Sequence, residues 1–251
     1  MHPASFVAAA LAALSALLGA APAHAQQAGA TTTLTGNLTL ASDYRFRGIS
    51  QTNRKPTLQG GFDFAAGGFY LGNWNSNLDS DLYTGANIEM DFYGGYRGAA
   101  GSVSYDLGVL YYYYPGSGNT GAGRIDNTEL YAAAGIGPFT LKYSHAVSDF
   151  FNAPDSKNAY YLDLGASYPV GRLTLGAHVG YQKLKGGARV AEIGSAALRD
   201  SIVDYRLGVS TDVSGFTLGA ALVGTNRDLA GSVAGRNISD DTLVLSVAKS
   251  F

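Results

Sequence analysis

Three charged residues at alternate positions, Asp43, Arg45 and Arg47, are the part of this chain whose types and spacing could do chemistry. A spacing of two places all three side chains on one face of an extended strand. Arginine binds carboxylates through paired hydrogen bonds, so this face could hold small anionic or zwitterionic solutes. The alternative is that the charges form cross-strand ion pairs that brace a wall. The pair Asp204 and Arg206 repeats the spacing.

Patterns for catalysis and metal binding are weaker. A serine nucleophile and its histidine must share a face of a strand, but Ser144 and His145 are adjacent, and His178 has no serine two residues away. The sequence has no cysteine, and only these two histidines follow a predicted leader, so a transition-metal cluster lacks ligands. Asp79 and Asp81 could contact calcium, although a solvated loop is the simpler interpretation. We expect no enzyme, no cofactor and no metal centre.

Alternation of polar and apolar residues predicts the elements that must position these charges. The segment 102–114 is the clearest, with Leu107 and Val109 on one face and Asp106 on the other. We predict an all-β, transmembrane, antiparallel up-and-down β-barrel of twelve strands. The strands are predicted at 33–47, 56–66, 69–76, 85–97, 102–114, 126–136, 139–148, 158–168, 172–183, 202–212, 215–226 and 240–251.

Alternate positions on these strands should face the lumen, and the charged residues at those positions are the candidate lumen-lining residues. They are Asp43, Arg45, Arg47, Asp63, Glu89, Asp91, Asp106, Lys142, Asp163, Asp204 and Arg206. Acids and bases nearly balance, so neither sign predicts a selectivity. Small inward residues should leave room between them, namely Ala41, Gly61, Gly95, Gly108, Gly165, Gly176, Gly208 and Gly219.

The connections between the predicted strands alternate in length. Tight turns are predicted near 67–68, 98–101, 137–138, 169–171 and 213–215. Long polar connections fall at 49–55, 77–84, 115–125, 149–157, 184–201 and 227–239. Short periplasmic turns and long outer loops are typical of outer-membrane barrels.

Aromatic residues near the strand ends predict two interfacial girdles. The girdle at the tight turns would contain Phe64, Phe69, Tyr96, Phe139, Tyr168, Phe216 and Phe251. The girdle at the long loops would contain Tyr44, Phe46, Tyr83, Tyr111, Tyr113, Tyr160, Tyr181 and Tyr205.

Both ends of the chain agree with a location in the outer membrane. An alanine- and leucine-rich run ends at Ala23-His24-Ala25, which predicts a secretory signal peptide over residues 1–25 and a single barrel domain over 26–251. The last strand alternates and stops on Phe251, so we expect it to engage the barrel assembly machinery. Lys249 interrupts its apolar face. A net charge of −2 gives no basic surface for nucleic acid.

The first predicted strands resemble the TorF family of outer-membrane porins. The resemblance rests on Ser42-Asp43-Tyr44-Arg45-Phe46-Arg47-Gly48-Ile49-Ser50-Gln51-Thr52, followed by 56–63 and 68–74. Beyond these strands only the barrel pattern and the length agree. The resemblance implies a channel in the outer membrane. It does not indicate which solute passes through the channel.

The sequence therefore predicts a bacterial outer-membrane barrel through which small hydrophilic solutes diffuse passively. Twelve strands would leave a narrow pore at most. A function of a different class is a structural or adhesive barrel, closed inside by its ion pairs, whose outer loops bind partners. In either case the expected surroundings are outer-membrane lipid and lipopolysaccharide.

Overall fold

The computed structural model describes residues 32–118, 123–233 and 235–251, and it shows one closed antiparallel barrel. Twelve strands follow each other around the barrel in chain order, and the last pairs with the first. The predicted fold class is confirmed. The predicted signal peptide, residues 1–25, lies outside the described residues. No helix in the described part of the chain is long and apolar enough to cross a membrane.

We number the barrel strands in chain order. They are β1 (Thr32–Ala41), β2 (Thr57–Ala66), β3 (Phe69–Asn77), β4 (Ile88–Ala100), β5 (Val103–Tyr113), β6 (Asn127–Ile136), β7 (Phe139–Ala146), β8 (Tyr160–Val170), β9 (Leu173–Lys183), β10 (Ser201–Val213), β11 (Phe216–Thr225) and β12 (Thr242–Ser250).

Five two-residue turns join strands at one end, which we call the short-turn end. Gly67 has a φ of 61°, and Ser214 and Gly215 have φ of 52° and 82°. Positive φ at these positions gives the primed turns whose twist matches an antiparallel hairpin. The predicted tight turns are therefore present.

Six long connections lie at the opposite, long-loop end. The first, residues 42–56, contains a small hairpin of Arg45–Phe46 with Ile49–Ser50. The fourth contains a 3-10 turn at Phe150–Asn152, and the fifth contains a second one at Gly186–Ala188, with a two-residue ladder between Val190–Ala191 and Leu198–Arg199.

The two faces of the barrel wall have opposite character. Outward side chains are apolar and exposed, such as Leu71 at 65%, whereas many inward side chains are polar and buried, such as Asn127 at 1%. In a water-soluble domain the apolar side chains would be buried, so this inversion fits a wall that faces lipid.

Two local predictions are wrong, and both errors lie at the long-loop end. The first strand ends at Ala41, because the chain leaves the sheet at Asp43 and turns into the lumen. Tyr44, Phe46 and Tyr83 do not join the outer girdle. Their rings pack inside the barrel, on Trp74 at 5.3 Å, Tyr112 at 5.7 Å and Tyr114 at 5.5 Å respectively.

The remaining girdle residues lie on the outer surface. At the short-turn end Phe69 packs on Tyr96 at 4.9 Å between ring centroids, and Lys249 Nζ lies 4.7 Å above the Phe216 ring. The Lys249 amine thus finds an aromatic neighbour near the barrel rim, which explains how it shares an apolar face.

Candidate functional site

The first long loop, residues 42–56, folds into the lumen and is the central feature of the candidate site. Its small hairpin turns through Arg47, with a φ of 47°, and Gly48, with a φ of 79°. The tip reaches the wall at β10 and β11, where a Cβ added to Gly48 would lie 2.5 Å from Thr225 Cγ2 and 2.8 Å from Asp204 Cβ. Both the backbone conformation and the space therefore require glycine.

Arg45 fixes the base of this hairpin. Its Nε donates to Asp43 Oδ2 at 2.6 Å, and its Nη1 donates to the carbonyl oxygens of Gly48 and Ile238, both at 3.0 Å. Its Nη2 donates to Thr242 Oγ1 at 2.7 Å. The guanidinium thus joins the first long loop to the sixth, residues 226–241, and to β12.

Arg47 extends from the hairpin turn across the lumen. Its Nη2 donates to Glu129 Oε2 on β6 at 2.7 Å and to Oε1 at 3.0 Å, and its Nη1 donates to Gln182 Oε1 on β9. The Arg47 Cζ lies 4.3 Å from the ring centroid of Tyr161 on β8. Arg47 and Glu129 are 7% and 2% exposed, so the hairpin is held by a buried ion pair.

Aromatic side chains fill the space around the hairpin. Phe46 packs between Tyr112 and Phe151, the latter supplied by the fourth long loop, at centroid distances of 5.7 and 6.0 Å. Tyr44 and Trp74 belong to the same buried cluster. The half of the lumen near the long loops is thus occupied by side chains.

The half of the lumen near the short turns is more open, because most inward side chains there are only partly buried, although Tyr70 and Asp106 are buried. Its carboxylates accept hydrogen bonds from neighbouring side chains: Asp63 from Tyr93 Oη at 2.6 Å and Asp106 from Tyr70 Oη at 2.5 Å.

His178 bridges two further carboxylates of the wall. Its Nδ1 lies 2.7 Å from Asp163 Oδ1 and its Nε2 lies 2.6 Å from Asp204 Oδ1. Tyr161 Oη also donates to Asp204, at 3.0 Å. Each of these acids therefore has a local partner.

The basic groups of this half are arranged differently. Among the described residues, Arg97, Lys142 and Arg206 form no ion pair. Arg97 Cζ lies 5.1 Å from the Tyr70 ring and Lys142 Nζ lies 4.2 Å from the Tyr131 ring. Arg206 Nε is buried, and no acceptor for it lies within the described part of the chain. These three cations keep hydrogen-bonding capacity for a solute.

The small inward residues do not all leave room. A Cβ on Gly95 would lie 2.6 Å from Tyr70 Oη, and Gly108 similarly accommodates the side chain of Tyr131. Ala41 and Gly61 are buried as well, and a Cβ on Gly61 would clash with the carbonyl oxygen of Asn73. The expectation of free space is therefore wrong at Ala41, Gly61, Gly95 and Gly108. Gly165, Gly176, Gly208 and Gly219, on the wall from β8 to β11, remain partly exposed.

The predicted lumen residues thus fall into three groups. Asp43, Arg45 and Arg47 form the hairpin network. Asp63, Asp106, Lys142, Asp163, Asp204 and Arg206 lie on the wall. Glu89 and Asp91 form a buried pair on β4. The hairpin network also includes Glu129, Gln182 and Tyr161. Alternation along their strands predicts that these side chains point into the lumen, but it does not predict which residues they contact.

Asp79 and Asp81, weighed above for calcium, lie in the second long loop, residues 78–87. Lys55 Nζ donates to Asp79 Oδ2 at 2.8 Å and Ser232 Oγ donates to Oδ1 at 3.2 Å. Burial alone would raise the pKa of Asp79, but these hydrogen bonds hold it below its usual value. Asp79 thus ties three loops together.

The whole barrel sequence, residues 25–251, matches a family model described as "Bacterial protein of unknown function (Gcw_chp)". The chain belongs to this family. A comparison with curated proteins gives no match.

Solved structures with a similar fold include a KdgM porin, at a TM-score of 0.52 and 10% sequence identity over 88% of this chain and 99% of that one. A second is described as "KdgM porin in complex with disordered oligogalacturonate", at a TM-score of 0.50 and 10% identity over the same shares of the two chains. At this identity the likeness shows the fold. The chain thus shares with these structures the fold of a closed antiparallel β-barrel.

Proposed function

We propose that this protein is an outer-membrane channel through which small hydrophilic solutes diffuse passively. The observation that carries the proposal is a charged inner wall enclosed by an apolar outer wall, with an infolded hairpin across the lumen. The hairpin sets the narrowest point. Diffusion of this kind requires no covalent chemistry, in agreement with the expectation that the protein is not an enzyme.

The outer surface supports placement in the outer membrane. Apolar side chains cover it, aromatic residues lie near both ends, and the tight turns share one end. The resemblance of 42–52 to the TorF family supports the same assignment. We propose that residues 1–25 direct export and that the strand ending at Phe251 engages the assembly machinery. We also propose that the apolar outer surface contacts lipid and lipopolysaccharide.

The charges of the lumen support a preference for anionic or zwitterionic solutes. Acids at Asp63, Asp106 and Asp163 already accept hydrogen bonds, whereas Arg97 and Arg206 have no ion-pair partner among the described residues. Unpaired cations lower the barrier for anions in a narrow pore. The KdgM porin of similar fold, solved with an oligogalacturonate, agrees with passage of a hydrophilic, acidic solute.

Liposome swelling tests the proposal. Liposomes that contain the full-length mature barrel should swell in small neutral and anionic sugars of matched size, and faster in the anionic one. The variant R97Q/R206Q should reduce this difference, whereas R189Q, in the fifth long loop, should not. If liposomes with correctly folded barrel swell no faster than empty ones, the proposal fails.

The second candidate is a closed structural or adhesive barrel. The ion pair between Arg47 and Glu129 and the aromatic packing around the hairpin favour it, because they fill the half of the lumen near the long loops. A folded protein without swelling activity would support this function, and its outer loops would then be the partner-binding surface.

A further inference from the structure

His178 on β9 holds a buried carboxylate that lies against the tip of the hairpin. Asp204 on β10 is 1% exposed, and among the described residues His178 is the one basic group within 4.0 Å of its carboxylate. Its other side-chain donor is Tyr161 Oη, which lies 3.0 Å from both carboxylate oxygens. A buried carboxylate that loses its charged partner is strongly destabilised, so Asp204 depends on the charge of His178.

The geometry of His178 requires both ring nitrogens to donate. Nδ1 lies 2.7 Å from Asp163 Oδ1, and Nε2 lies 2.6 Å from Asp204 Oδ1. An ionised carboxylate only accepts hydrogen bonds, and a neutral imidazole has one N–H group, whereas the imidazolium has two. The imidazolium therefore satisfies both carboxylates, and a neutral ring would leave one of them facing an unprotonated nitrogen.

The other cations of the neighbouring strands do not replace His178. Arg206 on β10 lies opposite His178 in the register, and Lys142 on β7 lies opposite Asp163. In the part of the chain that the structure describes, neither cation comes within ion-pair distance of Asp163 or Asp204. The positive charge that compensates Asp204 at close range thus comes from a group that can lose it.

The hairpin packs on the same carboxylate. A Cβ added to Gly48, at the tip, would lie 2.8 Å from Asp204 Cβ. The preceding residue, Arg47, has its Cζ 4.3 Å from the ring centroid of Tyr161, whose hydroxyl donates to Asp204. Arg47 is itself paired with Glu129. Asp204 and Tyr161 therefore form the surface on which the tip rests, and His178 fixes that surface.

We propose that His178 is a proton-dependent clamp, whose imidazolium form holds Asp204 beneath the hairpin tip and whose loss of a proton in alkaline solution loosens the tip. The proton passes to water, which reaches the site because the side chains of His178 and Asp163 are 19% and 31% exposed. Asp163 can then turn to water, but the buried Asp204 cannot. The effect on conductance rests on the proposed channel function: the pore should widen as the pH rises.

Nitrogen-15 NMR of the histidine rings tests the charge state directly, because His145 and His178 are the two histidines after the predicted leader. In the mature protein in detergent micelles, His178 should have two protonated ring nitrogens at neutral pH and one in alkaline solution. The variant H145Q assigns the signals. His145 is a suitable control because its hydrogen bonds are to Tyr143 and Asn158, away from Asp204. A single protonated nitrogen on His178 at neutral pH overturns the proposal.

Thermal unfolding and single-channel conductance measure what the clamp holds. From neutral to alkaline pH, the Tm of the wild type and of H145Q should fall by about 2–4 °C more than the Tm of H178Q, which has no ring to titrate. Conductance should rise over the same interval in the wild type and in H145Q, and it should not change with pH in H178Q. Equal pH responses of Tm in the wild type and H178Q overturn the proposal. A folded barrel that is silent at every pH contradicts the channel function, whereas the NMR and Tm results still decide the clamp.

Discussion

The two halves of the lumen compensate their charges in different ways. Near the long loops, Arg45 and Arg47 are buried and each is paired with a carboxylate and further acceptors. Near the short turns, the acids accept hydrogen bonds from tyrosine or histidine, and within the described residues Arg97 and Arg206 form no ion pair. The difference shows that charged side chains inside a barrel can have two effects. They close the lumen where they pair across it, and they line it where they do not.

The largest expected effect comes from removing Arg47, the cation that holds the hairpin across the half of the lumen near the long loops. R47A leaves Glu129 buried without its partner, which should cost about 3–5 kcal/mol of unfolding free energy. It should also release the hairpin and raise single-channel conductance. Urea unfolding in lipid vesicles measures the first effect. R54A is the control, because Arg54 pairs with Asp240 at an exposed site and should change stability by at most about 1 kcal/mol.

A second test targets the fit of the hairpin tip against the wall. G48A combines a positive φ with a Cβ that would lie 2.5 Å from Thr225 Cγ2, so it should destabilise the barrel by about 2–3 kcal/mol. The control G67A also has a positive φ, but no atom lies within 4 Å of its Cβ, and it should cost about 1–2 kcal/mol. Equal destabilisation by the two variants would show that the tip does not pack on β10 and β11.

The open half should respond in selectivity and hardly in stability. R206Q removes a cation that has no ion-pair partner in the described residues, so unfolding free energy should change by less than about 1 kcal/mol. The anion-to-cation permeability ratio, read from the reversal potential in a salt gradient, should fall by roughly twofold. Loss of stability comparable to that of R47A would mean that this half is braced in the same way as the other.

The effect expected where the loops meet outside the lumen is also small, and it depends on pH. D79N should cost about 1 kcal/mol at neutral pH, because Asp79 loses charged hydrogen bonds to Lys55 and Ser232. The pKa of Asp79 is lowered in the folded state, so its contribution is present above the unfolded value of about 3.9 and is lost as the pH falls through the folded value. The difference between wild type and D79N should therefore disappear in acid. The control D81N, at an exposed position, should change the free energy of unfolding by less than about 0.5 kcal/mol at neutral pH.

The sequence was informative about the wall and uninformative about the hairpin, for physical reasons. Lipid outside and water inside impose a strict alternation, which is why strands such as 103–113 and their inward charges could be predicted. Asp43, Arg45 and Arg47 keep the same alternation after the strand has ended. Their departure from the sheet depends on partners far along the chain, such as Ile238 and Glu129. No local pattern encodes such contacts.

The carboxylate pair shows a further limit of sequence patterns. Alternation places Glu89 and Asp91 inside the barrel, but it cannot show that the surrounding residues are tyrosines and another acid rather than a base.

Single-channel conductance in a planar lipid bilayer, compared between wild type and R47A, tests the central claim most directly. A channel narrowed by the infolded hairpin predicts discrete conductance steps for the wild type, a reversal potential that favours anions, and larger steps for R47A. A folded wild-type barrel and a folded R47A barrel that both remain silent would contradict the account and favour a closed structural barrel.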